Sequence, residues 1–250
     1  LGLSIGEGAG GRVLLVLGEE DELDARIRVR QVVKGMGYQS EALDFLIETK
    51  RLRIIAGAGM GHQLALVDKD NEPTGLVSEL LERMRADCEA GGRYSLVILD
   101  PASQFSAGQI EVENGAATAF VRALGQLSTA PGNPVVLVSH HTSQSSRSEG
   151  KASATHARGV TGLTDAVRWH AGMVPHATFK VQEGREEREV RTVSFDVVKS
   201  NCAPLVGGVL LERVASGVLV PVDLDDRERY RHEAAVEKAM REIEAKDRKE

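Results

Sequence analysis

Apolar residues recur along this chain in two rhythms. Short unbroken runs, Val13 to Leu17, Leu96 to Leu99 and the "PVVLV" stretch, have the length and density of buried strands, and "RLRIIAG" reads as a further short one. Between them the spacing turns helical. Leu23, Ile27 and Val33 predict a helix from about Asp21 that Gly35 and Gly37 stop. Leu76, Leu80, Met84 and Cys88 repeat every four residues and predict an amphipathic helix from Leu76 to Ala90, and a further helix is expected near Ala116 to Leu127. Strands alternating with helices in this way imply an α/β fold whose parallel sheet is covered on both faces.

The pattern changes after Thr142. "TSQSSRSEGKASATHARG" has no hydrophobic period and reads as a polar loop. Beyond it, "ATFKVQEG", "REVRTVSFDVVKS", "GGVLLERVA" and "GVLVPVD" read as consecutive strands joined by tight turns, expected to extend the sheet in antiparallel fashion. A charge-dense stretch closes the chain. The expected organisation is one core over 1–224 and a helical or solvated tail over 225–250.

Composition narrows the classes. An apolar share of 42% and a charged share of 27% are ordinary for a soluble globular protein. A net charge of −6 excludes a globally basic nucleic-acid binder but permits a local basic loop. Cys88 and Cys202 lack metal-ligand spacing and are expected as buried thiols in a reducing, cytoplasmic compartment. No apolar run approaches the ~18 residues of a membrane span, and no signal peptide is visible. The first residue is Leu1 rather than methionine, which suggests a start inside a longer reading frame.

Three predicted strands end in chemically capable residues: Glu19, Glu20 and Asp21; Asp100 and Ser103; Ser139, His140 and His141. In open parallel sheets ligands bind beyond the carboxyl ends of the strands, so these clusters would converge on one edge. Each has a plainer reading. Asp21 can cap a helix, Asp100 can form a turn before Pro101, and a histidine pair can simply be hydrogen-bonded. Two chemistries fit the set. In a metal-dependent hydrolase Asp100, Glu20 and the histidines would be direct ligands. In nucleoside triphosphate hydrolysis Asp100 would hold magnesium through water, Glu20 would polarise the attacking water, and a histidine would sense the γ-phosphate. "AGAGMGH" (Ala56 to His62) is glycine-rich but lacks the Gly-Lys-Ser/Thr ending of a phosphate loop. It reads as a hairpin turn before a further strand, "HQLALVD".

The order "GEED", "LVILDPAS", "VVLVSHHTS", "ARG…DAVRW" and "VKSN", from Gly11 to Val222, resembles the RecA-like ATPases of the plasmid hexameric replicative helicase (RepA) type, and is similar to the wider set of bacterial AAA-type ATPases. The resemblance implies a three-layer RecA-like core and an ATP-hydrolysing, DNA-dependent motor using ATP and Mg2+ as a homo-oligomer, expected to be a hexamer. It implies that Glu20 is the catalytic glutamate. Asp100 becomes the magnesium-supporting acid, with Ser103 beside the cofactor. His140 and His141 become the γ-phosphate-sensing pair. Arg158 or Arg168 would be the ring arginine that reaches a neighbouring subunit, and Lys199 would sit near that interface. Trp169 is expected in the core. Arg147 and Lys151, in the polar loop from Thr142 to Ala157, would meet single-stranded DNA phosphates; the loop from Phe105 to Glu113 is the second candidate. One departure is large. The family's Walker A lysine and Ser/Thr are missing, and "LGLSIGEGAGGRVLL" reads as the tail of the helix after that loop plus a linker. Either the loop lies upstream of Leu1, or the chain is a degenerate ATPase acting in regulation or assembly.

Overall fold

The apolar runs become strands β1 (Arg12–Leu17), β2 (Leu52–Ala56), β3 (Tyr94–Asp100) and β4 (Val135–Val138). They pair in parallel in the order β2-β1-β3-β4. The computed structural model describes residues 10–107, 110, 112–141, 161–183, 186–205, 208–214 and 217–222. Arg147, Lys151 and Arg158, most of the polar loop and the charged tail lie outside the described residues.

The helices are α1 (Glu22–Gly35), α2 (Ser40–Glu48), α3 (Gly75–Glu89), α4 (Asn114–Leu127) and the short α5 (Thr161–Ala166). The Asp21 side chain accepts from the Asp24 amide at 2.8 Å and caps α1, so its helix-capping reading holds. Thr74 caps α3 in the same way. The spacing did not predict α2; it fully buries only Leu43. On one face of the sheet Leu14, Val16, Val97 and Leu99 pack with Val77, Leu80 and Met84 of α3 and with Phe120 and Leu127 of α4. This is the main core.

The amino edge of the sheet is locked by charge. Asp87, on the buried stripe of α3 and 4% exposed, accepts Arg53 Nε at 2.8 Å and Nη2 at 2.7 Å. It also accepts the Tyr94 hydroxyl at 2.8 Å. Burial alone would raise the Asp87 pKa. The Arg53 and Tyr94 hydrogen bonds, with the charges of Arg53 and Lys50, outweigh burial and hold the carboxyl below its ordinary range. Alongside, the Arg12 guanidinium donates to the carbonyls of Gly91, Thr49 and Lys50, and so ties β1 to the turns before β2 and β3.

The "HQLALVD" stretch is not a strand. A 3-10 turn, Gly61–Leu64, follows the glycines, and Leu64, Ala65, Leu66 and Val67 are then buried in succession. A chain buried on both sides has no reason to alternate, and Val67 makes only isolated bridges, to Pro73 and Ser106.

Contacts divide the chain into two compact units. The parallel sheet and its helices, α5 included, form one. The described residues from Arg168 onward form the other, with β5 (Trp169–Glu183), β6 (Glu186–Ser200), β7 (Val209–Arg213) and β8 (Leu219–Pro221). These pair antiparallel in sequence order. Their antiparallel pairing is as expected, but they make a sheet of their own rather than an extension of the first. Trp169 is not in the core: it is 42% exposed and leans on Phe195 at 6.4 Å between ring centroids. Cys88 is half-buried and Cys202 is exposed, so neither thiol is fully buried.

Candidate functional site at the carboxyl edge of the parallel sheet

Because β1, β3 and β4 are parallel neighbours, their carboxyl ends meet at one edge. Backbone bonds lace it together. Gly18 N donates to Asp100 O at 2.7 Å, Ser139 N to Leu99 O at 3.0 Å, and Ala102 N to Ser139 O at 2.8 Å. Gly18 is required here, because a Cβ at this position would stand 2.5 Å from Gln104 Cβ. The exits of β1 and β3 are thus held in close register.

Asp100 ends β3 half-buried, and Ser139, just past β4, donates its hydroxyl to Asp100 Oδ1. The bond fixes one carboxylate oxygen. Ser103 lies exposed on the 3-10 turn Ala102–Gln104. His140 is half-buried and His141 exposed, both directly after Ser139. Glu20, past the end of β1, has a side chain only 11% exposed and pairs with Arg28 of α1. The sequence reading did not include Arg28, and no local motif marks it. It enters because two turns of helix carry it back toward the β1 exit.

The glycine-rich stretch forms the neighbouring wall rather than a hairpin. Gly57 N donates to Leu17 O at 2.7 Å, Ala58 N to Glu20 O at 3.0 Å, and Met60 N to Gly57 O at 3.0 Å. These amides are committed to protein carbonyls, which leaves them unsuited to cradle a phosphate. Gly59 and Gly61 take φ of +82° and +51°, where side chains are strained.

Arg168 is exposed in the second unit, and its carbonyl accepts Asn201 N at 3.0 Å. Lys199 stands in β6, opposite His170 of β5. Both are placed by the antiparallel sheet, whereas Asp100, Ser103, Ser139, Glu20 and the two histidines belong to the parallel one.

Among the described residues no group of three or more His, Cys, Asp or Glu side chains is placed to hold a metal directly. A zinc-type centre built from Asp100, Glu20 and the histidines therefore has no cluster there to support it. One carboxylate hydrogen-bonded by a single hydroxyl, that of Ser139, is a different donor set. It suits magnesium, which keeps several waters and takes one or two carboxylates alongside phosphate oxygens.

A model of the AAA domain family matches residues 2–147, more than half of the 250-residue chain. The chain belongs to the AAA domain family. The matched region takes in β1 through β4, so the AAA domain contains the whole carboxyl edge described above. Among solved structures the chain is similar to a RadB recombinase, at 14% identity and a TM-score of 0.48, over 86% of this chain and 80% of that one. It is also similar to the flagellar accessory protein FlaH from Methanocaldococcus jannaschii, at 12% identity and a TM-score of 0.43, over 86% of this chain and 77% of that one. No curated protein matches the sequence. No helix among the described residues of this AAA domain protein is long and apolar enough to cross a membrane.

Proposed function

We propose that the carboxyl edge of the parallel sheet is the nucleotide site of an ATP-hydrolysing, RecA-like motor that acts on single-stranded DNA as a homo-oligomeric ring. The observation that carries this reading is the pairing of Asp100 with the Ser139 hydroxyl, beside the β1 exit that leads to Glu20. Membership of the AAA domain family supports the ATPase part of it.

In this reading Asp100, with Ser103 and Ser139 near it, holds magnesium through water. Magnesium, when bound, neutralises phosphate charge. Glu20 orients the attacking water. For that role its carboxylate must turn from Arg28, so Arg28 sets how available Glu20 is. His140 and His141 couple the site to the polar loop after them, in which Arg147 and Lys151 meet DNA phosphates. Arg158 or Arg168, and Lys199, serve the site of a neighbouring subunit. A hexameric helicase is the specific form proposed.

The Glu20–Arg28 pair favours one second reading. A glutamate neutralised by a permanent cation is what a degenerate, regulatory ATPase domain would keep. ATP turnover by the protein as its gene encodes it, with and without single-stranded DNA, separates the two. The motor reading expects a DNA-stimulated rate that Glu20→Gln and Asp100→Asn each abolish while the fold is kept. A stable protein whose assembly survives both substitutions, with no turnover to lose, would instead establish the regulatory reading.

A further inference from the structure

Beside the β1 exit lies a cavity of about 360 Å3 that the nucleotide reading does not use. It opens where α1, α2 and the carboxyl end of β2 meet. Its floor is apolar, made by Ile47 of α2, Ile54 and Ala56 of β2, and Ala58. Its mouth is charged, made by Asp21, Glu22 and Arg26 at the start of α1. Ile47, Ile54 and Ala56 are half-buried, whereas the three charged residues are exposed. Small side chains leave the space: Ala56 stands beside Leu17 in the strand register, where a larger residue would fill it. The helices add little, since α1 fully buries only Ala25 and α2 only Leu43. Ligand sites run from about 300 to 1,000 Å3, so this one suits a small organic molecule.

Charge selects the ligand. Glu22 and Arg26 pair with each other at 2.7 Å and cancel. Asp21 gives Oδ1 to the Asp24 amide, and its side chain makes no other hydrogen bond or ion pair among the described residues. The mouth is left with one carboxylate charge. The positive end of α1 does not reverse this. It amounts to roughly half a charge, and Asp21, Glu22 and Asp24 all stand against it. An anion is therefore repelled, and an apolar body with a single cationic head fits both floor and mouth.

The same walls hold Glu20. Ala58 N donates to Glu20 O at 3.0 Å, and Asp21 is the next residue along the chain. α1, the opposite wall, carries the Arg28 that pairs with the Glu20 carboxylate. The cavity stands open in the arrangement in which Arg28 holds Glu20. A ligand that binds this arrangement best can only shift the population toward it.

We infer that this cavity is a regulatory site for a small organic ammonium compound with an aliphatic or aromatic body. The ammonium group meets Asp21, and the body packs on Ile47, Ile54 and Ala56. By bridging α1 to β2 the ligand keeps Glu20 against Arg28 and so lowers turnover. The effect on turnover rests on the motor reading, in which Glu20 must leave Arg28 to orient water. The binding site itself does not rest on it.

Three probes that share one ring and differ in charge test it: benzylammonium, benzyl alcohol and benzoate. Alanine-methyl NMR of the full protein reads the binding. Benzylammonium should shift the Ala56 and Ala58 methyl signals and bind about 3- to 5-fold more tightly than benzyl alcohol, the scale of an exposed ion pair. Benzoate should leave both signals in place. Asp21→Asn keeps an oxygen that caps α1 and removes the charge, so it should erase the preference for ammonium over alcohol without lowering the melting temperature. Ala56→Leu should abolish binding of both. Bound benzylammonium should also slow amide exchange at Ala58 and reduce ATP turnover. Equal affinity for all three probes, or alanine signals that do not move, would overturn the site. Binding that leaves both Ala58 exchange and turnover unchanged would overturn its regulatory role. A protein with no turnover to lose, in which benzylammonium still binds and still slows Ala58 exchange, would refute the motor reading and support the site.

Discussion

Removing Arg53 should reverse the sign of the protein's acid response. Asp87 is 4% exposed and accepts two hydrogen bonds from Arg53 and one from Tyr94, with Lys50 Nζ 3.9 Å away. Arg53→Met leaves that carboxylate buried with its main counter-charge gone. Stripping one partner from a buried pair costs about 3–5 kcal/mol. At roughly 2–4 °C per kcal/mol for a chain of this size, the melting temperature should fall by about 6–20 °C. In the parent the Asp87 pKa is lowered by folding, so its contribution is complete above the unfolded value of about 3.9 and is lost as pH falls through the folded value. In Arg53→Met the burial that the arginine had outweighed now dominates and pushes the folded pKa above the unfolded one. Stability should then rise as pH falls from neutrality toward about 4, by about 1.4 kcal/mol for each unit of that shift. Urea denaturation of both proteins from pH 4 to pH 8 reads this directly: the gap between them should narrow as the medium becomes acidic. Arg53→Met/Asp87→Leu should cost less than Arg53→Met alone, because no charge is left stranded. A gap under about 1 kcal/mol, or one flat across that pH range, would refute the reasoning.

Tyr94→Phe deletes the hydroxyl donated to Asp87 and should cost about 1.5–3 kcal/mol by chemical denaturation, less than Arg53→Met. Burial, and then Asp87, push the Tyr94 pKa up to about 12, so the parent loses stability as pH rises from about 10 to about 12; the phenylalanine variant should lack that part of the alkaline limb. Gly132→Ala should destabilise by more than about 1 kcal/mol, since φ is +107° and a Cβ would stand 2.2 Å from Tyr94 O. Gly125→Ala, on α4 with nothing within 4 Å of an added Cβ, should stabilise by about 0.4–1 kcal/mol; parallel thermal melts compare the two.

The parallel core was legible because its signals are local. Four apolar residues ending in Asp100, and leucines four apart in α3, are both readable in a short window. α2 was not read although Leu43, Leu46 and Ile47 fall at helical spacing, because nine residues hold too few turns for that period to stand out. "HQLALVD" misled for the opposite reason, since burial on every side imitates a strand. The amino-edge lock was half legible. Asp87 falls three residues after Met84 on the buried stripe of α3, and an acid there demands a partner. What the sequence does not reveal is that β2 lies next but one to β3, which brings Arg53 and Tyr94 to the same carboxylate.

The carboxyl edge divides in the same way. Asp100 and Ser139 converge because each closes a strand and the strands are neighbours, a consequence of topology that strand-end chemistry anticipates. Glu20 and Arg28 meet through the angle at which α1 leaves β1, and no spacing rule carries that angle. The difference bears on function. A contact fixed by sheet register persists as long as the sheet does. A contact fixed by an exposed helix, of which only Ala25 is buried, can change with whatever packs against that helix. Leu23 and Ile27, one turn apart on α1, are 66% and 45% exposed. Anything that binds them can move Arg28 relative to Glu20, and so set whether that carboxylate is neutralised or free, without disturbing Asp100.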